Sequence, residues 1–414
     1  MVGADRAARI ARYSLSPKLE RVIETFRRYL HLPDPTPLVV ALATVAANLK
    51  PGDAVWLLLL GPPSCGKTEI LNSTLGLPNM FEASTLSEAS LLSGTPAKDV
   101  SKQATGGLLR EIGQFGILVL KDFTSVLSMP REQRAQLLAA LREIYDGSWT
   151  RRLGTDGARR FHWHGKLGFL AGCTDEIEDC HAVISSMGDR YVRLRMPALD
   201  PKEQGLRALL HQGQEQEMRR ELVSVVTDFF GQLDLSAGES HIGEADRGQI
   251  NSLATFSALA RSAVKRDGYK REIDYVPDAE FPARLSKSLL SLLGGLLAIG
   301  AGRDFAFDCV RKVGLDCIPK VRRQMLDLLI ESCNEPSVAN LTEASRLPET
   351  TVRRALEDLQ AHGLVVSRLA AANHDSPPIV WSRADGTTVL RKEGGQVWCL
   401  TSDAATLLAE AGCI

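Results

Sequence analysis

The stretch Gly61-Pro62-Pro63-Ser64-Cys65-Gly66-Lys67-Thr68 sets two glycines five residues apart and follows them with a lysine and a hydroxyl. This spacing fits the phosphate-loop template G-x-x-x-x-G-K-[ST]. Such a loop turns its backbone N–H groups inward around phosphate oxygens, at a helix N-terminus that favours anions. In that chemistry the Lys67 ammonium reaches the β- and γ-phosphates and the Thr68 hydroxyl binds Mg²⁺. Gly61 through Glu69 is therefore the candidate cradle for ATP. Its flanks agree, because Trp56 to Leu60 is apolar enough for a buried parallel strand and the residues after Thr68 can continue as a helix.

A phosphate loop needs an acid on the Mg²⁺ side of the site, at the C-terminal edge of another buried strand. The apolar run Ile117 to Leu120 ends in Lys121 and Asp122, and Asp122 is the candidate. A third apolar run, Leu167 to Ala171, ends in Gly172-Cys173-Thr174-Asp175. In P-loop ATPases with an additional central strand, a polar side chain at that end positions the attacking water. Thr174 is placed for this role, and equally for capping the next helix. In Met187-Gly-Asp-Arg-Tyr-Val-Arg-Leu-Arg-Met-Pro197, apolar residues alternate with Arg193 and Arg195 after Arg190, a pattern for a strand with exposed arginines.

Further surfaces suit nucleic acid. Ser148–Leu153 and Arg159–His164 read as a hairpin around the turn Gly154-Thr-Asp-Gly157, with Arg151, Arg152, Arg159 and Arg160 flanking it and Trp149, His162 and Trp163 nearby. Arginines neutralise phosphates and aromatics stack on bases. A charged edge hairpin that blocks aggregation has the same composition. Near the C-terminus, helices over 321–330, 341–346 and 349–362 precede β-type segments at 364–369, 379–382 and 397–400 and a helix at 403–411. Three helices followed by a β-hairpin make a winged helix-turn-helix. Val352, Ala355, Leu356 and Leu359 then face the core, and Thr350, Thr351, Arg353 and Arg354 face DNA. This tail carries ten basic and twelve acidic residues, a balance that also suits docking on protein.

The elements that must position these residues divide the 414-residue chain into a helical lead-in (1–50), a nucleotide-binding core (51–199), a helical stretch (200–318) and the winged-helix segment (319–414). The lead-in carries Leu19, Val22, Ile23, Phe26 and Leu30 at helical spacing, then a second helix over 38–49. Residues 98–104 read as a polar loop and 236–248 as another, and 250–301 reads as helical, including the run through Lys265-Arg266. With 49 basic and 50 acidic residues there is no global basic field, so any nucleic-acid surface is local. Eight cysteines without a C-x-x-C pair argue for a reducing cytoplasm rather than disulfides or zinc. No apolar run is long enough to span a bilayer.

The order of these motifs resembles an AAA+ ATPase, and among these it is most similar to the minichromosome maintenance (MCM) helicases. Gly116-Ile-Leu-Val-Leu-Lys-Asp-Phe123 resembles that family's G-x-x-x-x-D-E-F, and Met187-Gly-Asp-Arg-Tyr191 resembles its L-x-S-R-F. The resemblance implies an α/β fold: a P-loop AAA+ core with a parallel sheet flanked by helices, a helical lid and a C-terminal winged helix. It implies ATP and Mg²⁺ as cofactors and DNA as partner, together with a homo-oligomer in the form of a hexameric ring and a partner protein of replication or of a mobile element. It further implies Arg190 as a finger acting on the neighbouring subunit's nucleotide, Thr174 as sensor one, Arg284 as sensor two and the 148–164 hairpin as a pore loop. Lys121 stands where the family's pattern has an acid. One carboxylate is thus missing, and Asp122 serves either as Mg²⁺ ligand or as base. Slow or partner-stimulated hydrolysis is the expectation. An ATP-switched DNA-binding regulator and a helicase loader or defence ATPase are the competing functions.

Overall fold

The computed structural model describes residues 14–92, 107–152, 160–181, 184, 188–235, 242–332, 335–369, 380–382, 388–390 and 396–414. The polar loop expected at 98–104 lies outside them. The chain forms two compact units, Met1–Ala254 with Phe281–Cys317 and Thr255–Glu280 with Ile318–Ile414.

The first unit opens with α1 (Pro17–Tyr29), which starts where the Ser16 hydroxyl accepts the Leu19 N–H at 3.3 Å and which buries Leu19, Val22, Ile23 and Phe26. α2 (Thr36–Leu49) is buried at every residue from Thr36 to Asn48, as an all-round apolar helix must be. There follow β1 (Trp56–Leu60), α3 (Lys67–Asn72), β2 (Met80–Ala83), α4 (Glu88–Leu91), α5 (Leu108–Ile112), β3 (Phe115–Leu120), α6 (Thr124–Leu127) and α7 (Arg131–Tyr145). The antiparallel pair β4 (Ser148–Arg152) and β5 (Arg160–His164) leads into β6 (Lys166–Cys173), α8 (Glu176–Asp179) and β7 (Tyr191–Arg195). Next come α9 (Pro201–Leu210), α10 (Glu215–Gly231) and α11 (Glu244–Arg261), within which the first unit gives way to the second. An excursion containing β8 (Lys265–Arg266) and β9 (Ile273–Tyr275) belongs to the second unit, and the chain returns to the first with α12 (Ala283–Ala298) and α13 (Arg303–Asp316).

β1, β2, β3, β6 and β7 form one parallel sheet in the order β2-β3-β6-β1-β7. Its central strands are continuous apolar runs because helices cover both faces. β6 therefore lies between the strand that enters the phosphate-loop turn and the strand that ends at Asp122. Buried glycines set the layer spacing. A Cβ on Gly295 of α12 would lie 2.2 Å from the Ala43 carbonyl oxygen, so α12 and α2 touch backbone to backbone. A Cβ on Gly168 of β6 would lie 2.7 Å from the Asn48 side chain. Asn48 in turn donates to the Val55 and Thr44 carbonyls at 2.8 and 2.9 Å and accepts the Val55 N–H at 2.9 Å.

The helical expectation for 250–301 needs correction at both ends of α11. The helix starts at Glu244, inside the expected loop, where the Asp246 carboxylate accepts the Gly243 N–H at 2.8 Å. It stops at Arg261, because the Ser262 hydroxyl turns back to the Ala258 carbonyl and accepts the Glu280 N–H, and Lys265-Arg266 then pair with β9.

The second unit continues with α14 (Lys320–Glu331), α15 (Val338–Ser345), α16 (Glu349–Ala361), β10 (Val365–Leu369), β11 (Val380–Ser382), β12 (Thr388–Leu390), β13 (Gln396–Leu400) and α17 (Ser402–Glu410). β10 pairs with β13 and β11 with the unforeseen β12, both antiparallel. Val352, Ala355, Leu356 and Leu359 are buried on α16 as their spacing predicts. The 255–280 excursion is fastened to α14 and α16 by arginines. Arg322 donates to the Ala260 and Ser262 carbonyls and to Asp358, and Arg266 donates to Asp358 and Glu357. His362 Nε2 lies 3.2 Å from the Ala263 carbonyl oxygen.

Two predictions follow from this packing. Gly295→Ala should lose about 1–3 kcal/mol through overpacking. Gly205→Ala on α9, where a Cβ meets nothing within 4 Å, should instead gain about 0.5–1 kcal/mol; thermal unfolding of both variants checks the pair. Burial also holds the His362 imidazole below its ordinary pKa. The unfolded chain takes up that proton near pH 6.5 while the folded chain resists it, so His362 lowers stability as pH falls below about 6.5. His362→Gln, which keeps a donor for Ala263, should flatten this part of the unfolding profile between pH 7 and pH 5.

Candidate functional site

The turn that follows β1 starts at the C-terminal edge of the sheet. The Gly61 N–H donates to the Cys173 carbonyl at 3.1 Å, and the Met196 N–H donates to the Leu60 carbonyl at 2.7 Å. Gly61 has no room for a side chain, since its Cβ would lie 2.9 Å from the Met196 side chain. Ser64 and Gly66 both take positive φ, 62° and 90°, which curls the loop back on itself. Pro62, Pro63, Ser64 and Thr68 are exposed and Cys65 is buried. The first helical bond of α3 is Ile70 N–H to the Gly66 carbonyl, so the amides of Lys67, Thr68 and Glu69 precede the intrahelical ladder.

Lys67 is buried in the curl of the loop. Its ammonium donates to the Gly61 and Pro62 carbonyls, both at 2.7 Å, and lies 3.5 Å from Cys65 Sγ. These contacts hold the cation inside the curl of the turn. The Lys67 stem runs beside Gly172 of β6, whose Cβ would lie 3.6 Å from Lys67 Cε and 2.7 Å from the Lys121 carbonyl oxygen. A side chain at 172 would separate the ends of β3 and β6.

Asp122 is exposed at that edge, and its carboxylate accepts the Thr124 N–H at 2.9 Å. Thr124, which the sequence reading passed over, ties the two strand ends together. Its hydroxyl accepts the Thr174 N–H at 3.2 Å and lies 3.3 Å from the Thr174 hydroxyl. Thr174 also reaches the Glu176 N–H at 3.5 Å at the start of α8. The adjacent Cys173 thiol is pushed up to about 11, first by burial, so it is a neutral packing group. Lys121 turns away from the loop to pair with Glu82 of β2 at 2.5 Å. No group of three or more His, Cys, Asp or Glu suited to a metal ion occurs among the described residues. Thr68 and Asp122 are the groups that would hold Mg²⁺, with phosphate oxygens completing its shell. Two further side chains brace the turn. Gln204 of α9 donates to the Ser64 carbonyl at 3.0 Å, and Arg219 of α10 binds both oxygens of Glu69 at 2.9–3.2 Å.

Arg190 and Arg284 meet at the opposite edge of the sheet. β7 runs parallel to β1 with Tyr191 beside Trp56 and Arg195 beside Leu60, so Arg190 precedes the strand by one residue. Five residues of strand put it about 16 Å from the loop edge. Arg190 donates to the Gly188 carbonyl at 2.7 Å and to Asp146 at 3.1 Å, and Arg284 reaches the Asp189 carbonyl at 3.5 Å. Both guanidinium groups crowd Gly188, whose φ of +78° and missing side chain admit them. Burial first, and then the charge of Arg284, push the Arg190 pKa down, against the opposing pull of Asp146.

Two expectations fail here. The arginines of β7 are not on a solvent-facing side: Arg193 is fully buried against Asp189, and Arg195 pairs with Glu178 at 2.6 Å. An alternating strand at a sheet edge has a solvent face only if nothing covers it, and here Tyr191, on the same face as both arginines, packs against Trp56 and Phe123 while Glu178 of α8 meets Arg195. Likewise Trp149 and Trp163, cross-strand partners in the β4–β5 pair, are core residues, and Trp163 donates to the Gly113 carbonyl at 2.7 Å. They cannot stack on bases. Arg151 is engaged with Glu88 at 3.2 Å and with the Leu92 carbonyl at 2.5 Å. Arg152 and Arg160 are register partners at the far end of the pair, and Arg159 and the 154–157 turn lie outside the described residues. On α16, Thr350, Arg353 and Arg354 are exposed and Thr351 is half-buried, with Arg353 paired to Glu349 at 2.7 Å.

The fold and site together define an α/β protein with a helix-flanked parallel sheet and a phosphate-loop-like turn at its C-terminal edge. No family model and no curated protein matches the chain. Among the described residues no helix is long and apolar enough to cross a membrane. Because Trp163 is a core residue, Trp163→Ala should lower stability by about 3–5 kcal/mol in a denaturant titration.

Proposed function

We propose that this chain is an ATP-hydrolysing AAA+ motor that acts on DNA. The observation that carries the reading is the Gly61–Thr68 turn on a central strand, with β6 inserted between it and the strand ending at Asp122. This sheet order supports an ATPase with an additional central strand, in which Thr174 at the end of β6 faces the reacting phosphate. Lys67 and the loop amides stabilise phosphoryl charge, Thr68 and Asp122 hold Mg²⁺, and Thr174, held by Thr124, orients water. Arg190 and Arg284 lie too far from their own loop to reach its nucleotide. Their shared position supports action on a neighbouring copy, and hence a ring. In the second unit the exposed Thr350, Arg353 and Arg354 on the third helix, followed by the β10–β13 pair, support a winged helix that holds DNA.

One observation favours a second reading, an ATP-switched DNA-binding regulator. Lys121 is committed to Glu82, so Asp122 is the lone acid where two are needed for fast turnover. In that reading hydrolysis only resets an oligomeric state.

ATP hydrolysis measured with and without DNA tests both. Lys67→Ala and Asp122→Asn should each lower turnover by about 10²-fold or more. Arg190→Ala should be comparably slow by itself, yet mixing it with Lys67→Ala should restore part of the rate, because one mixed interface carries both intact residues. Wild-type turnover by Arg190→Ala, or no rescue on mixing, would remove the shared site from the proposal. Strand displacement driven by ATP selects the motor over the regulator.

A further inference from the structure

The 255–280 excursion leaves the first unit, joins the second and returns, and its tip has no role in either core. The tip is the turn Asp267-Gly268-Tyr269-Lys270-Arg271 between β8 and β9. Tyr269 is 95% exposed, and Lys270 and Arg271 are exposed beside it. The turn is built rather than loose. The Asp267 carboxylate accepts the N–H groups of Tyr269 and Lys270 at 2.8 and 2.6 Å, and the Asp267 N–H donates to the Glu272 carbonyl at 2.9 Å. Asp267 thus spends its charge within the turn, its carboxyl held below the usual range by those amides, while the two cations point outward. Glu272 and Asp274 alternate along the returning strand with Ile273 and Tyr275 and take its other side.

What the tip serves is indicated by its anchor. One guanidinium, that of Arg266, donates from Nη1 to the Arg271 carbonyl at 2.8 Å and from Nη2 to the Arg354 carbonyl at 3.0 Å, while pairing with Glu357 and Asp358. The backbone of Arg271 is therefore clamped beside that of Arg354, on the helix whose exposed residues face DNA in the function proposed above. An aromatic hydroxyl followed by two exposed cations, on a turn fastened next to such a helix, matches the sugar-phosphate backbone in charge and in hydrogen-bonding capacity.

We propose that the 267–271 tip is a second DNA-contacting element, in which Lys270 and Arg271 neutralise duplex phosphates next to the groove entered by α16 and the Tyr269 hydroxyl bonds a phosphate oxygen. The inference rests on the DNA-binding reading of the second unit. The test is binding of the full chain to a labelled duplex of arbitrary sequence, read by fluorescence anisotropy between 50 and 200 mM salt (about the range over which phosphate contacts dominate). Lys270→Ala/Arg271→Ala should weaken binding about tenfold at the higher salt and reduce the slope of log K against log salt by about two units. Tyr269→Ala and Tyr269→Phe should each weaken it about fivefold with the slope kept, since both lose the hydroxyl. Wild-type affinity and slope in the double variant would overturn the proposal while leaving DNA binding by α16 intact. Losses confined to a single-stranded oligonucleotide would overturn the duplex assignment. No duplex binding by the unaltered chain would remove both this inference and the reading beneath it. All three side chains are exposed, so unchanged thermal unfolding of the variants confirms that lost affinity is lost contact.

Discussion

The buried amide of Asn48 is the interaction on which the geometry of the first unit depends. It sits where α2 ends and β1 begins, and it satisfies both backbone groups of Val55 at 2.8–2.9 Å. An apolar side chain there would leave the buried Val55 N–H without a partner, a loss of about 1–3 kcal/mol, and the Val55 carbonyl with only the long 3.5 Å bond from the Phe169 N–H. The same amide lies on Gly168, so it fixes the height of α2 above β6 as well as the start of β1. The strand that enters the phosphate-loop turn is thereby registered against the strand that carries Thr174. α2 is in turn held from its far side by the backbone contact between Ala43 and Gly295. A lead-in helix without chemistry of its own thus determines where the chemistry-bearing edge falls.

That edge and the arginine edge are separated by the length of the strands, and a hydrogen-bonded sheet does not shorten. Trp56 beside Tyr191 at one end and Leu60 beside Arg195 at the other make the separation a property of register rather than of side-chain rotamer. A guanidinium extends only about half that distance from its backbone. Two arginines around Gly188 repel one another, and the structure offsets this with Asp146 and the carbonyls of Gly188 and Asp189. A phosphate group presented by another copy is the kind of anion that such a paired cation site accepts. In the proposed function the rigid sheet therefore makes hydrolysis a property of the assembly.

The strands of the sheet, the turn at Gly61–Thr68 and the buried face of α16 were legible because each is a local pattern: an apolar run, a glycine spacing, a 3.6-residue period. Arg193 and the hairpin tryptophans were not, since alternation states that two faces differ without stating which one other parts of the chain cover. The Thr124 bridge was equally invisible, because a threonine two residues after an acid becomes informative only when another strand end brings Thr174 within 3.3 Å. Lys121 was read as a substitution in a pattern. Its partner Glu82 comes from the neighbouring strand, a pairing that only the parallel register of β2 and β3 creates.

The division of the chain at 255–280 has an electrostatic cause. Asp358 on α16 accepts from Arg266 of the excursion and Arg322 of α14, and Arg322 also takes the carbonyls of Ala260 and Ser262. An unpaired guanidinium at a site as enclosed as that of Arg322 is strongly unfavourable, so the Arg322 side chain requires the excursion's carbonyls as much as the excursion requires a support. The apolar contacts of α16 with α14 and β10 tolerate sliding, whereas a carboxylate shared between two forks does not. The charge network therefore contributes orientation more than net stability, and it fixes the excursion against one particular turn of α16. A segment placed this way carries its tip in constant relation to Arg354, which is what a surface formed from two chain segments requires to recognise one ligand.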